Sequence, residues 1–530
     1  MIRSGVANVS TAVEADPRTE AATGGLALTV VSHPMAQRVG EHAVLDSLAR
    51  RGVAAVSRNE PEFVRYGRAL GKSLDDPFIS RQAIRFVLQD HGRLRVMTSR
   101  SGTRVVIGAR VDEQLELTAE DLATGVPISL ANRVVLLLHR FDREIGDGAD
   151  LLGMVGHSAA IREVRGAIHR VLDLQVPVLI RGETGTGKEL VARAIHDRGP
   201  RRDAAFVSVN LAAIPRELAA AELFGATRGA YTGATRDREG LFRAAQGGTL
   251  FLDEIGEASP EVQAMLLRVL ETGEVTPVGA DRPIAVQVRL IAATDAPLED
   301  HVRRATFKAP LLHRLASYEI RIPPLRQRRE DIGLLFYHFA REELATTGEL
   351  DRLSPRDPYT KPWLPVAIAA QLARHDWPGN IRQLRNIARQ LVIASRGEPQ
   401  ARLDRRLTEE LRGPVIERPA GDPPGEPKPS RAVRRKPSDI TERELLETLR
   451  ACAWDLKATA DRLRIPRPSV YALIERNPGI RTAGDLGTEE ISACYRDCAG
   501  DLGAMAARLQ VSRHALARRV RELGLARGPP

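Results

Sequence analysis

Residues 176–189 constrain this chain more than any other stretch. The apolar run Val176 to Ile180 reads as a buried strand, and the glycine-rich turn GETGTGKE (Gly182 to Glu189) then empties into a helix starting near Lys188. A strand, a glycine-rich turn and a helix in that order make a phosphate cradle. Gly182, Gly185 and Gly187 let backbone N–H groups approach an anion at the positive end of the helix, and Lys188 adds a point charge for the β- and γ-phosphates. Glu183, Thr184 and Thr186 complete the loop. A second short strand, Thr249 to Leu252, ends in Asp253-Glu254, where a metal-binding acid and a water-orienting acid belong. A chance glycine turn explains the first feature alone, and a buried structural acid pair explains the second alone. Their combination is far more specific than either.

Around this core stand ELFG (Glu222 to Gly225), GAYTGA (Gly229 to Ala234) and GGTLFLDE (Gly247 to Glu254). Glu189 occupies the place where the general phosphate-loop pattern has a Ser or Thr that ligates Mg²⁺. Together these motifs resemble the AAA+ domain of sigma-54-dependent transcriptional activators, the bacterial enhancer-binding proteins, whose usual phosphate loop is GETGTGKE. The resemblance implies ATP and Mg²⁺ as cofactors, with Gly182 to Glu189 around the nucleotide, Asp253 organising the metal and Glu254 orienting the attacking water. The family's surface loop reads GAFTGA. Tyr231 keeps the ring and adds a hydroxyl, and Gly229, Ala230, Tyr231, Thr232, Gly233 and Ala234 become the implied contact with sigma-54. Asn210, after the strand AFVSV, matches the position that holds the catalytic Glu inactive until substrate contact, and Asp295, after VRLIAATD, takes the first sensor position. In FKAPLLHRLASYEIRIPPLRQRREDI, Arg314 matches one trans-acting arginine finger, while Lys308 stands where another arginine is usual. Lysine keeps the charge but loses the bidentate fork. WPGNIRQLRN (Trp377 to Asn386) resembles the second sensor of the lid, with Arg382 reaching the γ-phosphate.

The implied architecture is multidomain: an N-terminal all-β sandwich, a central α/β AAA+ P-loop ATPase with a helical lid, and a C-terminal all-α helix-turn-helix repeat. Residues 1–25 read as disordered, 26–141 as the sandwich and 142–153 as a polar linker. The α/β subdomain spans 154–325 and the lid 326–398, with a proline-rich loop expected over Thr346 to Pro365. In the sandwich, LALTVV, VAAVSR, AIRFVL, RLRVMT, TRVVIG and RVVLLLHR alternate with Gly, Asp and Ser turns. VSRNEPEF, DPFISRQAI, SGTRVVIG and ISLANRVVLLLH resemble a forkhead-associated (FHA) domain. That implies a phosphothreonine-bearing protein or kinase as partner, read by Arg58, Ser80, Arg81 and Ser101. Ser57, Ala83 and Ser101 depart from the family's Gly, His and Asn. A sandwich that binds an unmodified partner, or the AAA+ domain itself, stays open beside the phosphopeptide reading.

Residues 399–438 have linker composition, proline-rich and basic. An internal repeat follows. DLKATADRLRIPRPSV (Asp455 to Val470) overlies DLGAMAARLQVSRHAL (Asp501 to Leu516) at a constant offset, in units over 439–478 and 486–526. Each copy reads as helix, tight turn, helix. The second resembles the factor-for-inversion (Fis-type) DNA-binding domain usual at this family's C-terminus. Ser512 then caps a recognition helix carrying Arg513, His514, Arg518 and Arg519, and Arg467 is the candidate in the first copy. Two DNA readers in tandem, or one reader and one dimerisation unit, fit equally well.

At 530 residues the chain is too long for one core, and Lys+Arg 78 against Asp+Glu 68 favours a polyanionic partner without naming it, while the family resemblance implies upstream DNA. Cys452, Cys494 and Cys498 have no zinc-type spacing and read as reduced thiols. No apolar run reaches the roughly 18 residues of a membrane span, so a cytoplasmic protein without membrane contact is expected. The reading is an ATP-driven activator that remodels sigma-54 RNA polymerase holoenzyme, working as a homo-oligomeric ring, a hexamer by family. Two readings compete. One is a DNA-binding regulator whose AAA+ core is a nucleotide-gated oligomerisation switch, and the other is a phosphopeptide-responsive adaptor.

Overall fold

The computed structural model describes residues 25–82, 84–98, 103–111, 113–141, 151–230, 235–355, 357, 359–412 and, from 440 on, 440–452, 454, 456–463, 465, 469–470, 473–474, 477, 485–498, 500–511, 516–517, 519–520, 523 and 525. The chain divides into two compact units, residues 1–416 and 417–530.

The first unit begins with a two-sheet antiparallel sandwich, as its alternating segments predict. One sheet runs β2-β1-β9-β8-β6, from β1 (Gly25–Ser32), β2 (His42–Val44), β6 (Val105–Ile107), β8 (Val126–Leu130) and β9 (Val134–Phe141). The other runs β3-β4-β5-β7, from β3 (Val53–Val56), β4 (Ile84–Leu88), β5 (Leu94–Thr98) and β7 (Gln114–Leu117). Leu28, Val30, Phe86, Val96, Ile128, Leu136 and Leu138 fill the space between them. Two short helices, α1 (Asp46–Arg51) and α2 (Ala119–Thr124), close its margins, α2 starting from a Thr118/Asp121 capping box.

The α/β subdomain is a parallel sheet, order β11-β12-β15-β10-β16, from β10 (Val178–Arg181), β11 (Phe206–Asn210), β12 (Thr249–Asp253), β15 (Arg289–Thr294) and β16 (Tyr318–Arg321). Its central strands are covered on both faces, which is why they read as apolar runs rather than alternating ones. The helices of the subdomain are α3 (Ala159–Val171), α4 (Lys188–Asp197), α5 (Arg216–Phe224), α6 (Leu241–Ala244), α7 (Pro260–Thr272), α8 (Leu298–Arg303) and α9 (Ala309–Leu315). Local chemistry sets their ends: Ser158 caps α3, and Ser259 with Pro260 starts α7, which Gly273 stops in the left-handed region. A small hairpin, β13 (Glu274–Val275) with β14 (Ile284–Ala285), follows α7.

The lid comprises α10 (Glu330–Thr346), α11 (Val366–Arg374), α12 (Asn380–Ala394) and α13 (Arg405–Arg412). One expectation is corrected here. The helical part runs to Arg412 instead of ending at 398, because Leu407 and Leu411 share one face of α13 and are buried in the lid core. Between α10 and α11 the described residues form a loop, as expected; it holds a 3-10 turn at Leu350–Leu353 and sinks Leu353, Trp363 and Leu364 into the same core.

That core also contains residues of the sandwich. Val31, Ala36, Val39, Val135 and Leu137 lie in one apolar cluster with α10, α11 and α12. Strand β9 shows the consequence: its first six residues are all buried, one face toward the other sheet and the other toward the lid. Helix α10 packs on β1, and α11 on β8 and β9. Gly333 permits this closeness, since a Cβ there would stand 2.4 Å from the Val31 carbonyl oxygen. The Ser32 and Tyr337 hydroxyls are 2.8 Å apart in the buried seam, and Arg133, itself buried, pairs with buried Asp76 while donating to the Thr360 carbonyl.

The second unit repeats itself in structure as in sequence. Helices Glu442–Ala451 and Leu456–Leu463 form one small core, and Thr488–Asp497 and Leu502–Leu509 form another. Matching positions are buried in each: Leu445 and Ile491, Ala460 and Ala506, Ile465 and Val511, Val470 and Leu516. Even the turn is shared, with Trp454 and Gly500 both at positive φ, donating their N–H groups to Leu449 and Tyr495. Among the described residues no helix is long and apolar enough to cross a membrane.

Candidate nucleotide site

Strand β10 delivers the chain to Gly182, whose N–H donates to the Thr294 carbonyl at the end of β15. Gly185 and Gly187 have φ of +80° and +105°, the left-handed values this turn needs. Gly187 caps α4 without a side-chain bond, so the first-turn N–H groups face the loop. Lys188 is buried, its Nζ donating to the Gly182 carbonyl at 3.1 Å and to Glu254 Oε1 at 3.4 Å.

The carboxyl edge of the sheet places the acids. In the β11–β12 register Asn210 lies opposite Asp253, and Asn210 Nδ2 is 3.5 Å from Asp253 Oδ2. Burial raises the Asp253 carboxyl above its ordinary range, opposed by Lys188, while Glu189 raises it further and Arg382 lowers it. Glu254 follows in the left-handed region, φ 55°, which turns its side chain toward Lys188. Burial lifts its carboxyl too, against Lys188 and reinforced by Asp295 and Asp253. Asp295 Oδ2 accepts from the Thr184 hydroxyl at 2.6 Å. Lys188, Asn210, Asp253, Glu254, Thr184 and Asp295 thus converge, and the Arg382 charge acts on Asp253. Thr186 donates to the Glu183 carbonyl within the loop.

Glu189 stands differently from the expectation of a loop ligand. Its side chain is 57% exposed and pairs with Arg193, one turn on. Arg314 is also outside the chain's own site, exposed at the end of α9 and paired with Glu271 at 3.8 Å. The base of the GAYTGA loop is clasped by a bridge between Ala226 and Arg238 and by the Arg228 N–H bond to Asp237. Gly229 and Ala230 belong to that base, and Tyr231, Thr232, Gly233 and Ala234 lie outside the described residues.

Two features escaped the sequence reading. Glu183 pairs through both carboxylate oxygens with Arg326, at 2.6 and 2.9 Å, which holds its carboxyl below the ordinary range. Asn380, fully buried at φ 50°, accepts from the Leu325 N–H and donates to Glu183 Oε2 and the Thr184 carbonyl. The neighbouring Ile381 and Arg382 N–H groups donate to the Gly185 carbonyl. The phosphate loop is thereby fastened to the start of α12. Beside it lies a cavity of about 80 Å³ whose lining includes Val155, Ile161, Leu190, Ile322, Phe339 and Ile381. An asparagine inside WPGNIR that must adopt a left-handed backbone was the available signal.

Residues 154–321 match the Sigma-54 interaction domain family, and residues 326–412 match the AAA+ ATPase lid domain. The central module is thus similar to the Sigma-54 interaction domain. It is an AAA+ P-loop domain with a helical lid. The transcriptional regulator NtrC of Azospirillum brasilense is 45% identical over 254 residues, 47% of this chain and 50% of that protein. The Nif-specific regulatory protein of Klebsiella pneumoniae is 45% identical over 251 residues, 47% and 46% of the two chains. The nitric oxide reductase transcription regulator NorR1 of Cupriavidus necator is 42% identical over 323 residues, 60% of each. This chain thus spans about half to three fifths of the length of these curated relatives. The solved structure of NtrX from Brucella abortus with ADP shows 29% identity over 71% of this chain and 70% of that one, with a TM-score of 0.45.

The FHA-type candidates divide. Arg58 and Ser80 are joined by an N–H bond from Arg58 to the Ser80 carbonyl, and the Ser80 N–H donates to Thr103 Oγ1. Arg81 is exposed next to them, and Ser101 lies outside the described residues. Of the DNA-binding candidates, Arg467, Ser512, Arg513, His514 and Arg518 also lie outside them. Arg519 is only partly exposed, at the position where the first repeat packs Leu473 against its core.

Proposed function

We propose that this chain is a sigma-54-dependent transcription activator that hydrolyses ATP and uses the cycle to remodel the closed polymerase complex from an upstream DNA site. The observation that carries the reading is the convergence of Lys188, Asn210, Asp253 and Glu254 at one sheet edge, in a module similar to the Sigma-54 interaction domain. Lys188 and the loop N–H groups bind the β- and γ-phosphates, and the apolar cavity beside Gly187 seats the base. Asp253 offers a carboxylate backed by Asn210, an oxygen donor suited to Mg²⁺, which supplies charge neutralisation when bound. Glu254 orients the attacking water and Arg382 holds the γ-phosphate of the same chain. Arg314, turned away from its own chain's site, serves a neighbour's nucleotide, so activity requires a ring.

The GAYTGA segment, carried on that clasped base, makes the contact with sigma-54. The repeated C-terminal unit binds the upstream site through the second copy, and the sandwich supplies regulation, reading a phosphorylated protein through Arg58, Ser80, Arg81 and Ser101. The test is conversion of sigma-54 polymerase from closed to open complex by full-length protein with ATP and Mg²⁺, beside a Glu254→Gln control. Opening that needs ATP and fails in the control supports the reading. Hydrolysis and assembly without opening point instead to the nucleotide-gated switch.

A further inference from the structure

The sandwich touches the AAA+ module at two places of unequal character. Against the lid it shares an apolar core, sealed by the close approach of Gly333 to Val31. Against the α/β subdomain it presents Tyr66, at a small cavity that His42, His139 and Phe141 line together with His157, Ser158 and Arg162. The Tyr66 ring stacks between His42 at 4.4 Å and His157 at 4.8 Å, its hydroxyl accepts from Arg162 Nη1 at 2.7 Å, and that same nitrogen donates to the His157 carbonyl. His157 lies where the lid is pinned to the subdomain. Asp331, in the first turn of α10, accepts from the His157 and Ser158 N–H groups and from the Ser158 hydroxyl. A Cβ at Gly156 would stand 2.8 Å from that carboxylate, so chain and lid meet there without slack. Tyr66 thus packs on the residues through which the first turn of the lid is bonded to the start of α3.

We propose that Tyr66 is a positioning residue for ATP turnover: it ties the sandwich to the hinge at Gly156 to Ser158 and restrains the lid. The proposal rests on the ATPase reading above. A lid that rotates during the cycle carries the sandwich with it, because the shared core costs far more to open than a stack and one hydrogen bond. The Tyr66 contact is therefore the one that breaks. Its position also shows how the restraint is addressed. Tyr66 sits in the β3–β4 connection, the same segment that carries Arg58, Ser80 and Arg81. That connection is stiffened by the Phe63–Lys72 bridge and by the Asp75 N–H bond to Arg58. A ligand on the Arg58 end shifts the Tyr66 end.

The test compares full-length wild type, Tyr66→Phe and Tyr66→Ala in steady-state ATP hydrolysis. Losing stack and hydrogen bond should raise kcat about fivefold with KM for ATP within about twofold, since Tyr66 restrains a step of the cycle and touches no nucleotide. Tyr66→Phe keeps the ring and should give about a twofold rise, with an unchanged unfolding midpoint. In wild type, ATP should speed amide exchange over residues 157–162. A kcat unchanged or lowered in both variants overturns the proposal while the ATPase reading stands. No turnover sensitive to Glu254→Gln in wild type sinks both.

Discussion

Asn380 decides more at the residue scale than its neutral side chain announced. It satisfies the Leu325 N–H and two acceptors of the phosphate loop from a left-handed backbone that asparagine tolerates better than other side chains. Asn380→Ala strands a buried N–H and adds backbone strain, so a loss of about 2–3 kcal/mol is expected in denaturant unfolding. An unchanged midpoint would show that the fastening is incidental. Glu254 makes a different prediction. Burial, Asp295 and Asp253 hold its carboxyl above the ordinary 4.5, and the water-orienting role proposed for it needs the ionised form. Turnover is then lost as pH falls through that raised value, so the acid limb of kcat/KM for ATP lies above 4.5. An acid limb at or below 4.5 would remove Glu254 from that role. Residue chemistry was legible where a motif joins two carriers of one function, as with Lys188 and Asp253-Glu254. It was not legible for Glu183, whose partner Arg326 lies far along the chain, nor for Glu189, whose helical phase turns it toward Arg193.

Elements were legible where periodicity was clean and illegible where one strand serves two cores. RVVLLLHR reads as an ordinary sandwich strand, yet its unbroken apolar run records the second surface against the lid. Gly333 is the matching sign in α10, a glycine inside a helix where alanine would be the better helix former by about 1 kcal/mol. Gly333→Ala forces a Cβ to 2.4 Å from the Val31 carbonyl, so helix and strand must part. The expected net effect is a destabilisation of about 1–3 kcal/mol, read as a lowered thermal midpoint of the first unit. A rise would mean that α10 and β1 are looser than their packing shows. The same helix start carries Glu330, pushed up to about 8 by burial and then by Asp331, against Arg328 and Arg162. The folded chain keeps this proton while the unfolded chain releases it, between 4.5 and about 8. The group's stabilisation is complete below 4.5 and is lost as pH rises toward 8. Glu330→Gln should flatten that slope in unfolding midpoints measured across the window, and a parallel slope in the variant would assign it to other groups.

On the scale of the whole molecule, the asymmetry of the two seams sets how the sandwich can act. A regulator held only by polar contacts would leave intact, and the module beneath it would be self-sufficient. Here the face of α10 bearing Gly333, Leu334 and Tyr337 is built against β1 and Gly40, and Val31, Val39, Val135 and Leu137 are part of the lid's own core. Each large apolar side chain so covered contributes about 1.5–3 kcal/mol, whereas the Tyr66 stack and hydrogen bond contribute a fraction of that sum. The sandwich is thus packed as part of the lid and touches the α/β subdomain far less, so the regulation proposed through it would tilt the lid rather than uncover it. A chain begun at Leu151 tests this directly. It keeps every residue of the nucleotide site but exposes the α10 face, so it should unfold several degrees lower than the full chain and self-associate in light scattering. A truncated chain that stays monodisperse with the full midpoint would show that lid and sandwich are separate bodies, and the restraint assigned to Tyr66 would then have nothing rigid to pull on.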